Sequence, residues 1–307
     1  MSDKEKNVKN GIIIGLSAYL IWGLLPIYWK WLENVSPEIV LSHRIIWSFI
    51  FMAFFILVTK KTNAFLAQCK EIIKSKKTMF AIIAASIIIS SNWLIFIWAV
   101  QNDRVVESSL GYYINPLMNV LLGVFVLKEK LTKAQTTSFI LAGIGVTYLT
   151  ISYGVFPWVS LALASTFAVY GLVKKLVNLN ATFSLTLETL IVTPITLIFL
   201  IYSSGIDLGF ANETATTNLL LILSGVATAV PLLLFGIAVL HIPLSLAGFL
   251  QYIAPTIMLF LGVFLYGEDF TTAHLITFTL IWISLILFMA SSLKQNKKNF
   301  KEQKEVI

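Results

Sequence analysis

The sequence predicts an all-α integral membrane protein, with ten transmembrane helices in two inverted five-helix repeats. Three observations carry this expectation. Of 307 residues, 58% are hydrophobic and only 12% are charged, against about 25% charged in soluble globular domains. The apolar residues fall into runs near 20 residues, enough to cross a hydrocarbon core of roughly 30 Å. A long segment also repeats. Residues 110–132 read LGYYINPLMNVLLGVFVLKEKLT, and residues 249–271 read FLQYIAPTIMLFLGVFLYGEDFT. Aligned without gaps, they pair Tyr113 with Tyr252, Ile114 with Ile253 and Pro116 with Pro255. They also pair Leu122-Gly123-Val124-Phe125 with Leu261-Gly262-Val263-Phe264, Glu129 with Glu268 and Thr132 with Thr271, always 139 residues apart. A shared taste for Leu and Val would not keep Tyr, Pro, Gly, Glu and Thr in register. The repeat therefore reads as an internal duplication, which in a membrane chain points to a transporter built from two related halves.

The spans are expected at about 10–31, 37–59, 79–101, 106–127, 134–152, 155–177, 183–204, 218–240, 243–266 and 273–292. Helices are the only spanning form that fits this length and hydrophobicity. The links are short apart from residues 60–78 and 205–217. The halves are 1–153 and 154–307. An odd number of spans per half turns the second half upside down, the arrangement that gives alternating access about a central site. Weaker echoes support the split. Phe96, Ala99 and Val100 match Phe235, Ala238 and Val239 at the same offset, and Ser17, Gly23 and Leu24 match Ser165, Gly171 and Leu172 at an offset of 148.

The net charge of +7 comes almost entirely from lysine. With the N-terminus inside, the cytoplasmic segments hold Lys4, Lys6, Lys9, Lys60, Lys61, Lys70, Lys74, Lys76, Lys77, Lys128, Lys130, Lys133, Lys174 and Lys175. The tail adds Lys294, Lys297, Lys298, Lys301 and Lys304, whereas the outer segments hold only Lys30 and Arg104. This positive-inside bias places both termini in the cytoplasm, and the expected location is the plasma (inner) membrane. It accounts for the basic balance without nucleic acid. The single cysteine, Cys69, gives neither a disulfide framework nor a thiolate metal site. The polar start MSDKEKNVKN leads into a long span without a cleavage pattern, so the first span is expected to be retained.

Several strings carry a resemblance: AYLIWGLLPIYWK, LSHRIIWSF, NWLIFIWAV, ESSLGYYINPL and FLQYIAPT. With the ten spans and the duplicated fourth and ninth, the chain resembles the EamA-domain proteins of the drug/metabolite transporter superfamily, and within them the RarD subfamily. The resemblance covers nearly the whole chain. It implies a ten-helix inverted repeat and an export role, and it does not name a substrate.

Arg44 is the sharpest single feature, about seven residues into the second span and so roughly 10 Å below the outer boundary. A charge there faces a partner or a wet cavity. Two readings stand: a site for an anionic or zwitterionic substrate group, and an ion pair with Glu107. His43 beside it reads as a packing residue or a proton relay. Glu188 lies near the cytoplasmic end of the seventh span, on the order of 15 Å from Arg44 in depth, so Lys174 or Lys175 is its expected partner. The two pairs would sit one near each mouth, either as gates or simply as neutralised charges.

A polar and aromatic group occupies the middle depths: Trp22, Asn92, Trp93, Tyr112, Tyr113, Asn115, Asn119, Tyr170, Gln251 and Tyr252. Asn92, Asn115 and Gln251 lie beside the expected helix breaks Pro116, Pro231 and Pro255, where a freed carbonyl needs a partner or water. They read as pocket residues, with interhelical glue as the alternative and the stronger one for Asn119. Tyr28 and Trp98 read as interfacial belt residues. Glu129 and Glu268 read as charges near the positive end of the following helix, which Thr132 and Thr271 cap.

These features favour a secondary transporter of a small polar, amino-acid-like metabolite, with a passive channel or facilitator and a drug-type efflux protein as alternatives. Coupling to a proton or ion is compatible with the buried charges. No cofactor or metal is expected. No phosphate-binding Gly-rich loop with Lys occurs, and His43, His241 and His274 are scattered with no HExxH or GxSxG pattern, so neither a primary pump nor a membrane enzyme is favoured.

Overall fold

The computed structural model of the chain describes residues 3–127, 132–153, 156–177, 179–205, 207–210, 214–238 and 250–305. The described residues form eleven helices and no strand. These are α1 (Asp3–Lys30), α2 (Pro37–Val58), α3 (Thr62–Lys74), α4 (Lys76–Gln101), α5 (Val105–Leu127), α6 (Lys133–Tyr153), α7 (Trp158–Val177), α8 (Ala181–Ser204), α9 (Ala215–Ala238), α10 (Ile253–Phe260) and α11 (Thr272–Glu305). A π-helical turn, Leu261–Leu265, follows α10. Among the described residues, six stretches are long and apolar enough to cross a membrane: Asn10–Lys30, Pro37–Val58, Lys76–Gln101, Lys133–Ser152, Ala181–Ser204 and Ala215–Phe235. Shorter apolar helices lie at Trp158–Lys174, Ile253–Leu265 and Thr272–Phe288. The molecule is an all-helical, multi-pass membrane protein.

Local sequence sets the helix ends. Pro37 opens α2, where its missing N–H costs nothing. Ser75 caps α4 by accepting from the Thr78 N–H, and Asn180 caps α8 by accepting from Thr182 and Phe183. At α6 the Gln135 N–H donates to Thr132 Oγ1 at 3.2 Å, while the Thr132 N–H donates to Gln135 Oε1 at 2.9 Å. This reciprocal pair is a capping box, and it gives Thr132 the expected role.

Two expectations need correction. The long link at residues 60–78 contains a helix, α3. Its Phe65, Cys69 and Ile72 recur at helical spacing and pack on Ile82 and Leu187, and Phe65 meets the Phe183 ring at 5.6 Å. Thirteen residues, with Lys70, Glu71 and Lys74 among them, are too short and too polar to read as a span. The prolines also interrupt less than expected. α9 runs through Pro231, α5 is continuous across position 116, and Pro255 sits in the first turn of α10. Proline removes one donor without a compulsory break, because neighbouring groups in a bundle can meet the freed carbonyl. The side chains of Pro116 and Asn119, and residues Glu129 and His241, lie outside the described set.

The bundle is knitted by specific close contacts. α2 packs on α8 and α9, α1 on α9 and α10, and α7 on α4 and α5. At the α2–α9 crossing a Cβ on Gly225 would lie 2.3 Å from the Trp47 carbonyl carbon, so only glycine allows this approach. Ser48 donates to the Gly225 carbonyl at 3.2 Å across the same contact. α6 and α11 run antiparallel: Ser284 donates to the Ser138 carbonyl at 2.6 Å, and Thr277 to the Gly145 carbonyl at 3.0 Å. α5 and α10 with its π turn also run antiparallel: Val106 lies beside Gly262, Ser109 donates to the Pro255 carbonyl and Tyr113 stacks on Tyr252, while Tyr113 also bonds Thr256. Outside, Phe54, Phe125, Ile151, Ile198 and Phe264 are exposed, the apolar belt that lipid requires.

Candidate substrate site and charge pairs

Arg44 is buried, with 4% of its surface exposed. Its guanidinium carbon lies 4.4 Å from the Trp93 ring centroid and 4.8 Å from that of Trp29. Each desolvated cation–π contact contributes about 2 kcal/mol, against several kcal/mol to bury the charge. Arg44 Nε and Nη1 have no hydrogen-bond partner among the described residues, and neither has Trp29 Nε1. Tyr112 lies within electrostatic reach. His43 is committed elsewhere: its Nε2 meets the Leu208 carbonyl at 3.0 Å and its ring stacks edgewise on Phe210, pinning α2 to the loop after α8.

The expected Arg44–Glu107 pair does not form. Glu107 meets Arg104 at 3.2 Å. It is three residues further along the same helix end, a spacing that brings side chains together without help from another element. Glu107 Oε1 also accepts the Val159 N–H at 3.2 Å, capping the start of α7, while its carbonyl accepts from Ser160. The other cation expected on the outer side, Lys30, meets Asp103 at 2.6 Å and Glu33 at 3.1 Å.

Glu188 is buried in α8 and receives three donors. Lys174 Nζ lies at 2.6 Å, Tyr170 Oη at 2.8 Å and Ser184 Oγ at 2.7 Å. Lys174 also donates to Ser184. The Lys175 side chain is outside the described set. A narrow cleft lined by Ile82, Val177, Leu179 and Ser184 leads to this pair, and Lys174 is one-quarter exposed. The ion pair is thus buried at its carboxylate and open at its amine.

The amides divide into two groups. Asn92 Nδ2 donates to the Leu163 carbonyl at 3.0 Å and to Thr166 Oγ1 at 2.8 Å. Asn115 Nδ2 donates to the Ala164 carbonyl at 3.2 Å. Both side chains clamp α7, from α4 and α5 respectively. Gln251 is half-buried at the start of the α10 segment. The aromatics form three groups by ring contact. Trp22 packs with Tyr19 and Phe235, while Tyr112 bridges Phe96 and Phe167, which in turn meets Tyr170. Tyr113 stacks on Tyr252. Of the two belt residues, Tyr28 donates to the Leu220 carbonyl, and Trp98 packs on Trp158 with Arg104 over its ring.

Glu268 acts on a different helix from the one expected. Its carboxylate accepts the N–H groups of Val105 at 2.6 Å and Val106 at 2.8 Å, capping α5 rather than α11. A Cβ on Gly262 would lie 2.7 Å from Val106 Cγ2, so glycine there lets the π turn seat the α5 terminus. Burial pushes the Glu268 carboxyl above the usual carboxylate range, against the two backbone hydrogen bonds that lower it.

Comparison with known proteins places this architecture. The EamA-like transporter family model matches residues 9–151. An uncharacterized transporter, YojE of Bacillus subtilis, is 43% identical over 95% of this chain and 97% of its own. Protein RarD of Escherichia coli K12 is 36% identical over 96% of this chain and 99% of its own. An uncharacterized transporter of Vibrio cholerae is 39% identical over 96% of both chains. The chain belongs to the RarD subfamily of EamA-like transporters. A solved crystal structure shares the fold, with a TM-score of 0.61 at 16% identity over 91% of this chain and 97% of that one. Its relatives make the protein a membrane transporter, working in a lipid bilayer on a small molecule.

Within this family frame, sequence reading missed Trp29 as a partner of Arg44. A tryptophan at a span end, beside Tyr28, reads as interfacial, and only tertiary contact shows it beneath a guanidinium. The Arg104–Glu107 spacing was a signal available in the sequence.

Proposed function

We propose that this transporter works by alternating access between two inverted halves, exporting a small polar, amino-acid-like metabolite across a bacterial plasma membrane with both termini in the cytoplasm. The supporting observation is the exchange of contacts under the 139-residue shift. That shift carries Ser138 to Thr277 and Gly145 to Ser284. The Ser138–Ser284 and Thr277–Gly145 hydrogen bonds therefore map onto each other. It also carries Tyr113 to Tyr252, and these two stack. Equivalent helices α5/α10 and α6/α11 run antiparallel, which an inverted repeat requires and a parallel repeat forbids.

The pocket in this reading lies between α1, α4, α5, α7, α9 and the α10 segment. Trp22, Trp93, Tyr112, Tyr170, Gln251 and Tyr252 would line it. Asn92 and Asn115 hold α7 in place, and the Lys174–Glu188 pair lies toward the cytoplasmic mouth. A test is saturable, trans-stimulated uptake of labelled amino acids into proteoliposomes. Flux that rises linearly with concentration would favour a passive facilitator, and competition by apolar drugs alone would favour drug efflux.

A further inference from the structure

We propose that Arg44, with Trp29 and Trp93, binds a single carboxylate group of the transported molecule. The inference rests on the transporter reading and adds the chemical class recognised on the outer side of the bundle. Three buried N–H donors sit on two touching side chains: Arg44 Nε, Arg44 Nη1 and Trp29 Nε1. None has an acceptor among the described residues. Buried donors are nearly always bonded, and a buried charge whose hydrogen bonds are unmet is costlier still. The two tryptophan rings offset part of the charge burial but accept none of these bonds.

An oxyanion supplies what is missing, because each of its oxygens accepts and none donates. Charge balance narrows the class. Lys30 meets Asp103 and Glu33, Arg104 meets Glu107, and Lys174 meets Glu188. Arg44 is the cation left without a carboxylate among these. One unbalanced positive charge in a buried site matches a monoanion, and a phosphate dianion would leave a net negative charge in the bundle. The rings against the guanidinium leave its edges for the ligand, and a planar carboxylate binds a guanidinium edge with good geometry.

The test uses the full chain purified in detergent, with benzoate and its uncharged isostere benzamide as probes at matched ionic strength. Benzoate should raise the melting temperature saturably, benzamide should not, and phosphate should bind more weakly than benzoate. Arg44→Gln should abolish the benzoate response, and Arg44→Lys, which keeps the charge but loses the planar fork, should weaken it roughly tenfold. Equal stabilisation by benzamide, tighter binding of phosphate, or an undiminished benzoate response in Arg44→Gln would each overturn the proposal. The wild-type comparison holds even where Arg44→Gln fails to fold. Benzoate binding without any flux in proteoliposomes would overturn the transport reading and leave this site standing. Flux that carboxylates do not inhibit would overturn the site alone.

Discussion

Tyr113 and Tyr252 stack with their ring centroids 6.1 Å apart and their planes within 14°. They are also equivalent residues of the duplication. Residues exchanged by a two-fold axis can touch each other only beside that axis, so the stack marks where the proposed axis runs. Tyr113 further bonds Thr256 and packs on Phe278. This contact is thus aromatic and hydroxylic.

The topology gives the first prediction. Reporter fusions after Lys61 and after Asp207 should report opposite faces of the membrane, the cytoplasm for Lys61. Fusions reporting one face would break the inverted arrangement, whatever the fold.

The amide clamps separate from the pocket. Asn92→Leu and Asn115→Leu should each lower stability by about 1 kcal/mol, since hydrogen bonds between membrane helices contribute on that order. Gln251→Leu should leave the melting temperature unchanged and reduce transport. Thermal unfolding in detergent beside vesicle uptake measures both, and loss of transport without loss of stability in the two asparagine variants would make them pocket residues after all.

Glu188 and Lys174 distinguish a gate from a neutralised pair. Lys174→Met leaves a buried carboxylate without its cation and should cost about 3 kcal/mol. Adding Glu188→Gln should recover much of that loss. A stable double variant that still transports would make the pair structural, and one that is stable but inactive would make it a gate.

Gly225 is a packing test. Gly225→Val puts its Cβ on the Trp47 and Ser48 backbone, where no rotamer change can relieve it. Overpacking of this kind costs about 1–3 kcal/mol or more, so folded yield after detergent extraction should fall sharply, while Gly143→Val, with nothing within 4 Å of its Cβ, should extract normally.

Much of the fold is legible in the sequence because a bilayer imposes period and length together, and because Pro, Gly, Glu and Thr stay in register across the duplication. What is not legible is tertiary. α3 hides because thirteen amphipathic residues are too short to span a bilayer. The role of Glu268 hides because the helix it caps lies more than 160 residues away in the chain. Glu107 suggests a pair with Arg44 because it opens its helix near the same face, but the three-residue spacing to Arg104 decides. Arg44 is visible as a buried charge, but its tryptophan cage depends on Trp29 of α1 and Trp93 of α4 meeting it in the fold, which no local pattern encodes.

The most direct test of the account is counterflow in proteoliposomes, comparing wild type with Arg44→Gln for an amino acid and its amide. The account predicts saturable exchange of the amino acid by the wild type, poor exchange of the amide, and loss of that preference in Arg44→Gln. Equal exchange of acid and amide by the wild type, or a preference that survives in Arg44→Gln, would contradict it.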